Sequence, residues 1–263
     1  MLLKYKMLRF LIQIYSILLF VFIYSCSNKK TNEIEYVERS LNNIYITALN
    51  SLIKYDFKQA SAEFDEVERQ HPYSKWSKKA IIMSSYASYK DKDYIKSEAN
   101  LKRFLSLYPA SEYAAYAQYL LAMNYYDQIL EINRDQTAVK VALQTFKLIL
   151  DRYPNTDYAK DAYFKSIYLE NNLAAKELDV AMTYISLKKY ISSIKRLKYI
   201  VNNYQTTSYV PEALHRLVEV YLILGIKDEA IVNAMVLGYN FPSSQWYKLT
   251  YNLLKKNKVI IKK

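Results

Sequence analysis

The same four-residue punctuation occurs five times along this chain. It reads aromatic residue or histidine, then proline in four copies of the five, then any residue, then Ser or Thr. The copies are His71-Pro72-Tyr73-Ser74, Tyr108-Pro109-Ala110-Ser111, Tyr153-Pro154-Asn155-Thr156, Tyr204-Gln205-Thr206-Thr207 and Phe241-Pro242-Ser243-Ser244. Successive second positions are 37, 45, 51 and 37 residues apart. A period of this size marks stacked supersecondary units, none of which can bury its apolar face alone. The chain is therefore expected to be a solenoid, an architecture that offers long binding surfaces.

Each copy is expected to stop one helix and start another. Proline disfavours helix at the residue before it. The Ser or Thr two positions later is suited to cap the next helix by accepting from its free N–H groups. Upstream of the proline position the pattern is helical. Twelve residues before it lies a small residue in every copy: Ala60, Ser97, Ala142, Ser193 or Ala230. Eight before lies Phe64, Leu101, Phe146, Leu197 or Ala234, and five before lies Val67, Phe104, Ile149, Ile200 or Leu237. Intervals of four and three place these on one helix face. The small residue lets two helices approach, and the larger ones fill the layer behind. This pattern resembles the second helix of a tetratricopeptide repeat.

The expected fold class is all-α, an α-solenoid of five tetratricopeptide-like helix pairs with extended third and fourth repeats and a C-terminal capping helix. The helices are expected over 40–54, 57–70, 75–90, 93–107, 111–131, 137–152, 156–187, 189–203, 208–224, 227–239 and 243–256. The basic unit is about 34 residues, so the two long spacings need extra length. One addition is the polar stretch around Asn133-Arg134-Asp135. The other is a single helix after Thr156 of about 30 residues, or ~45 Å.

The first residues read as an address. Lys4, Lys6 and Arg9 precede an apolar run from Phe10 to Tyr24, which ends in Ser25-Cys26-Ser27. A basic start, a short apolar core and small residues at its end form a secretory signal. The single cysteine of the chain sits at that junction and has no internal disulfide partner. Ile23-Tyr24-Ser25-Cys26 resembles a bacterial lipoprotein processing site, which implies lipidation of Cys26. The competing reading is an uncleaved membrane anchor over 7–24. The expected organisation is a lipoprotein signal over 1–25, a lipidated tether over 26–35, the repeat domain over 36–256 and a basic tail over 257–263.

Charge and missing residues narrow the function. Net charge is +12, but Lys4, Lys6, Arg9, Lys29, Lys30 and five lysines from Lys255 onward supply ten of the positive charges and lie at the two ends. The body is nearly neutral, so it lacks the concentrated basic stripe of a nucleic-acid surface. With only two glycines, Gly225 and Gly238, no phosphate-cradling loop can form. Each glycine is expected to end a helix. His71 fills an aromatic slot of the repeat. His215 shares a helix with Glu212 and Glu219, a trio that reads as a surface ion pair rather than a metal site. Neither catalysis nor a cofactor is expected. The 29 tyrosines read mainly as helix-packing filler, with a subset suited to line a peptide groove.

Several stretches resemble the BamD family of outer-membrane β-barrel assembly lipoproteins. They include Val67-Glu68-Arg69-Gln70-His71-Pro72-Tyr73-Ser74, Tyr86-Ala87-Ser88-Tyr89-Lys90, Asn133-Arg134-Asp135-Gln136 and Pro211-Glu212-Ala213-Leu214-His215-Arg216-Leu217-Val218-Glu219. The resemblance implies a periplasm-facing scaffold anchored to the outer membrane. It implies as partners a BamA-like β-barrel protein with periplasmic domains, other assembly lipoproteins and unfolded outer-membrane proteins. On this chain it implies substrate-peptide binding at Tyr73, Trp76, Tyr86 and Tyr89. Partner binding is implied at Lys195, Arg196, Glu212 and Arg216, with Arg134 and Asp135 in the insertion. A generic periplasmic repeat adaptor for cell-envelope proteins, and an enzyme on a helical-repeat fold, are the alternatives.

Overall fold

The computed structural model describes residues 38–129 and 136–259. Cys26, Arg134 and Asp135 lie outside the described residues, as do the signal, the tether and the last four residues of the tail. Among the described residues every regular element is an α-helix: α1 (Leu41–Ile53), α2 (Phe57–Gln70), α3 (Ser77–Lys90), α4 (Tyr94–Leu107), α5 (Ala114–Tyr126), α6 (Thr137–Arg152), α7 (Asp157–Ser186), α8 (Tyr190–Asn203), α9 (Val210–Ile223), α10 (Lys227–Asn240) and α11 (Gln245–Lys256). Each helix packs on the next, and odd-numbered helices also touch one another, α3 on α5, α5 on α7 and α9 on α11. This is the stacking of an α-solenoid of five helix pairs, closed by α11.

The register read from the sequence sets the core. Ala60, Ser97, Ala142, Ser193 and Ala230 are all fully buried, as are Phe64, Leu101, Phe146 and Leu197 four residues on. Val67, Phe104, Ile149, Ile200 and Leu237 complete the layers without exposure. Each such side chain contributes roughly 1.5–3 kcal/mol by leaving water. The long helix is present: α7 has 30 residues. Its buried residues, Ala159, Ala162, Ser166, Leu169, Leu173, Ala174, Leu178 and Ala181, keep one face along its length.

The five punctuation marks fold alike. The aromatic or histidine residue is the last of its helix's cap in every copy, with φ between −128° and −135° and ψ between 46° and 55°. The Ser or Thr three residues later donates its backbone N–H to that residue's carbonyl, at 3.0–3.2 Å in all five. Tyr204 adopts this geometry although Gln205 replaces proline. Packing of the ring against the layer therefore holds the turn, and proline only prestiffens it.

The expected capping by the hydroxyl occurs in two copies of the five. Thr156 and Ser244 accept from Ala159 N at 3.2 Å and Tyr247 N at 3.1 Å. After Ser74, Ser111 and Thr207 the chain makes a second turn, and the helix starts three residues on, behind Trp76, Tyr113 and Tyr209. Thr207 instead turns its hydroxyl back to Tyr204 O at 2.8 Å. These are the reasons that α3, α5 and α9 begin later than the sequence suggests. The far end of α5 is also shorter than expected, at Tyr126 rather than 131.

The turns inside four of the pairs, and the end of α11, carry little sequence signal. Tyr55, Lys92, Lys188, Gly225 and Lys258 all have positive φ, from 54° to 75°. At each, the next residue's N–H reaches a carbonyl five back, as in Asp56 N to Ser51 O and Asp93 N to Ser88 O, both 2.9 Å. This is the Schellman closure, in which glycine is favoured, and only Gly225 supplies it. Gly238 is not a terminator. It lies inside α10, where an added Cβ would meet Tyr247 Cε2 at 2.8 Å, so its smallness seats α11. Lys92→Gly is expected to raise stability by about 0.5–1 kcal/mol, by removing left-handed strain. Urea denaturation of the two proteins checks this, and an unchanged or lower midpoint refutes it.

Candidate functional site

At the first two repeats α1 and α3 enclose an apolar groove of about 700 Å³. Leu41, Tyr45, Ile46 and Leu49 come from α1, and Trp76, Lys79 and Met83 from the start and first turns of α3. The Trp76 ring packs at a 60° tilt on Tyr45, with centroids 4.5 Å apart, and Tyr45 in turn meets Phe64 edge-on at 5.5 Å. Trp76 remains 41% exposed. Lys79 Nζ stands 5.8 Å from its ring centroid. The groove therefore offers a rigid aromatic floor, aliphatic walls and one ammonium at the rim. That chemistry suits an apolar side chain with a carboxylate nearby.

The four residues implied for substrate do not converge. Trp76 lines the groove. Tyr73 is fully exposed on the turn before it. Tyr86 packs into the next layer, with Ile81, Leu101 and Phe104. Tyr89 donates its hydroxyl to the Asp127 carboxylate beyond α5. Burial first, and then that bond to Asp127, push the Tyr89 phenol up. Tyr119 repeats this device one layer on, donating to Asp161 Oδ2 at 2.7 Å, with burial again raising its pKa. These tyrosines tie α3 to α5 and α5 to α7. Leu41, Tyr45, Ile46, Leu49, Lys79 and Met83 were missed by the sequence reading. The available signal was that α1 carries more apolar residues than one packing face needs.

The residues implied for partner binding fall into two groups. Lys195 is exposed on α8, and Arg196 beside it donates to Glu177 Oε2 on α7 at 2.9 Å. Glu212 and Arg216 belong to a half-buried network on α9. The Arg216 fork reaches Glu219 Oε2 at 2.9 Å and Glu212 Oε1 at 3.2 Å, and its Cζ lies 5.3 Å from the Trp246 ring of α11. His215 is buried; its Nδ1 lies 2.8 Å from Thr250 Oγ1 and its Nε2 3.4 Å from Glu219 Oε1. The trio expected at the surface is thus an internal clasp holding α11. Burial opposes the charge on Glu219, but the bonds from His215 and Arg216 outweigh it and hold its pKa below the ordinary carboxylate value.

A stack of helix pairs with an aromatic groove at one end and a charged clasp at the other defines a protein-binding repeat scaffold. The sequence profile of a family described as outer membrane lipoprotein matches residues 37–237. The chain belongs to that family. It is similar to the outer membrane protein assembly factor BamD of Caulobacter vibrioides, with 41% identity over 247 residues, 94% of this chain and 81% of that one. BamD of Rickettsia prowazekii is 36% identical over 88% of this chain and 91% of its own length. BamD of Neisseria meningitidis is 31% identical over 78% and 80%. No described helix is long and apolar enough to cross a membrane.

Proposed function

We propose that this protein is the lipid-anchored scaffold of outer-membrane β-barrel assembly, binding other proteins without bond chemistry. The observation that carries this reading is 41% identity with an assembly factor over 94% of the chain, joined to an open aromatic groove at the first repeat junction. The groove receives an apolar side chain of an unfolded barrel segment between Trp76, Tyr45 and Met83, with Lys79 beside a carboxylate. A groove rather than a closed pocket fits an extended peptide, whose alternate side chains face one way. The C-terminal repeats, through Lys195, Arg196 and the surface of the α9 clasp, dock the periplasmic domains of a BamA-like partner. Acyl chains on Cys26 hold the assembly at the membrane.

Three variants separate these roles. Trp76→Ala is expected to weaken binding of a peptide from a barrel protein's last strand by about ten-fold or more, the scale of losing a central aromatic anchor. It should leave co-purification of the BamA-like partner intact. Arg196→Glu is expected to do the reverse. Cys26→Ser is expected to release the chain from membranes into the soluble periplasmic fraction. Equal loss of peptide and partner in both binding variants, with unchanged circular dichroism, defeats the division of labour.

A further inference from the structure

We propose a further protein-binding surface: the outer face of α10, with the hole beside it, takes one apolar, uncharged helix of a partner protein. α10 is apolar on two sides. Ala230, Ala234 and Leu237 are buried in the stack. On the opposite side Val232, Met235, Val236 and Tyr239 stand open to solvent, from 39% exposed at Val236 to 87% at Tyr239. Their spacing makes them a single stripe along the helix.

The repeat register sets this face apart. Its four positions lie two, five, six and nine residues after the small residue of the buried stripe. In the first repeat the same positions include Asp65, Glu66 and Arg69, and in the second Lys102 and Arg103. In the third they include Lys147 and Asp151, and in the fourth Lys195 and Lys198. In the fifth they hold no charge, and none occurs anywhere from Ala230 to Tyr247. The end repeats of a solenoid carry polar outer faces for solubility. An apolar face in that place marks a surface that another molecule covers.

Area and charge together name the occupant. A hole of about 470 Å³ borders the stripe and shares Val236 with it. Val201 of α8 and Val210 and Leu214 of α9 line it, and its polar side chains are the amides of Gln205 and Asn240. No charged side chain lines it, so it suits one large apolar side chain of a partner. Val232 to Tyr239 span only about 11 Å of helix. Four such side chains offer roughly 300–400 Å², well under the ~800 Å² per partner of a stable dimer. That is the footprint of one helix, not of a second copy of this chain. Anchors at intervals of three and four match the ridges of a packed helix. Lys227, Asp228 and Glu229 at the leading end of the stripe sum to one negative charge, so an anionic lipid surface gains nothing there. None of Lys195, Arg196, Glu212 and Arg216 lines the hole, which separates this surface from the docking residues named above.

The test uses the full lipidated chain in nanodiscs and a labelled, stapled helical peptide of about 14 residues, with Leu and Phe on one face and Gln elsewhere. Fluorescence anisotropy reads binding against empty nanodiscs. Saturable binding is expected, undiminished by added salt. Met235→Lys and Tyr239→Lys are each expected to weaken it about ten-fold or more. Both side chains lie at the surface, so circular dichroism should be unchanged. Both variants should still bind the barrel peptide and still co-purify the BamA-like partner. No binding overturns the proposal, as does binding insensitive to the two substitutions or equal binding of a peptide whose apolar residues are scattered round the helix. So does light scattering that shows a dimer dissolved by Tyr239→Lys, which would make the occupant a second copy. Binding of the Cys26→Ser chain to phosphatidylglycerol vesicles that Met235→Lys abolishes also overturns it, by making the stripe a lipid surface. Loss of the BamA-like partner in Tyr239→Lys overturns it too, by merging the stripe with the docking surface. Failure of the peptide to bind leaves the Trp76 and Arg196 results untouched, so the readings fall separately.

Discussion

Phe146→Ala is expected to cost about 3–5 kcal/mol, the range for deleting a fully buried aromatic ring whose space cannot collapse. Phe146 has no exposed surface. It stands four residues after Ala142 on α6, with the rings of Tyr119 and Tyr126 of α5 at 6.2 and 6.0 Å. Because each repeat rests only on its neighbours, a defect in the middle of the stack also weakens the coupling between its two ends. The variant should therefore unfold in urea at a lower midpoint and over a broader transition, with the first two repeats persisting after the rest has opened. Circular dichroism together with amide exchange resolves both effects. A single sharp transition, shifted by less than about 1 kcal/mol, would contradict the layered core described here.

Arg216→Ala is expected to free α11 and to lower stability by about 2 kcal/mol, the scale for charge-assisted hydrogen bonds discounted for partial exposure. The loss has three sources. Glu212 and Glu219 are left facing each other without their cation, the Trp246 face loses its guanidinium, and the His215–Thr250 contact loses its brace. The effect depends on pH. Glu219 titrates below its ordinary value of 4.5 in the folded chain, so its contribution is complete above that value. It is lost as the pH falls through the lowered one. The stability gap between parent and variant should thus be full at pH 7 and shrink on acidification below about 4.5. Arg216→Lys keeps the charge but not the two-pronged reach, and should recover part of the loss. A gap that widens in acid would refute the assignment, as would undiminished amide protection of α11 in the variant.

The positions that sequence reading placed correctly share one property. Ala60, Phe64 and Val67, and their counterparts in each repeat, are buried by contacts whose register follows helix periodicity, so spacing alone locates them. The run after Thr156 was readable as one helix because nothing in it breaks a helix. Gly225 was readable because glycine is the cheapest residue at positive φ. Lys92 and Lys188 adopt the same conformation without any such mark, since packing of the paired helices forces the turn. Gly238 misled for the opposite reason: its smallness answers to Tyr247, a contact visible only after α11 has docked.

The binding surfaces were less legible than the core. Trp76 was singled out and lines the groove, but Tyr45, the ring packed against it, lies 31 positions earlier on another helix. Tyr89 looked like a groove residue until Asp127 took its hydroxyl. What the sequence by itself determined is the periodic part: five helix pairs, the buried stripe of each and one double-length helix. Only tertiary structure decided which aromatic rings stay exposed and which arginine is spent inside a clasp. The physical reason is range. Periodicity and capping act over a few residues, whereas exposure of a given ring or charge is settled by neighbours one repeat away.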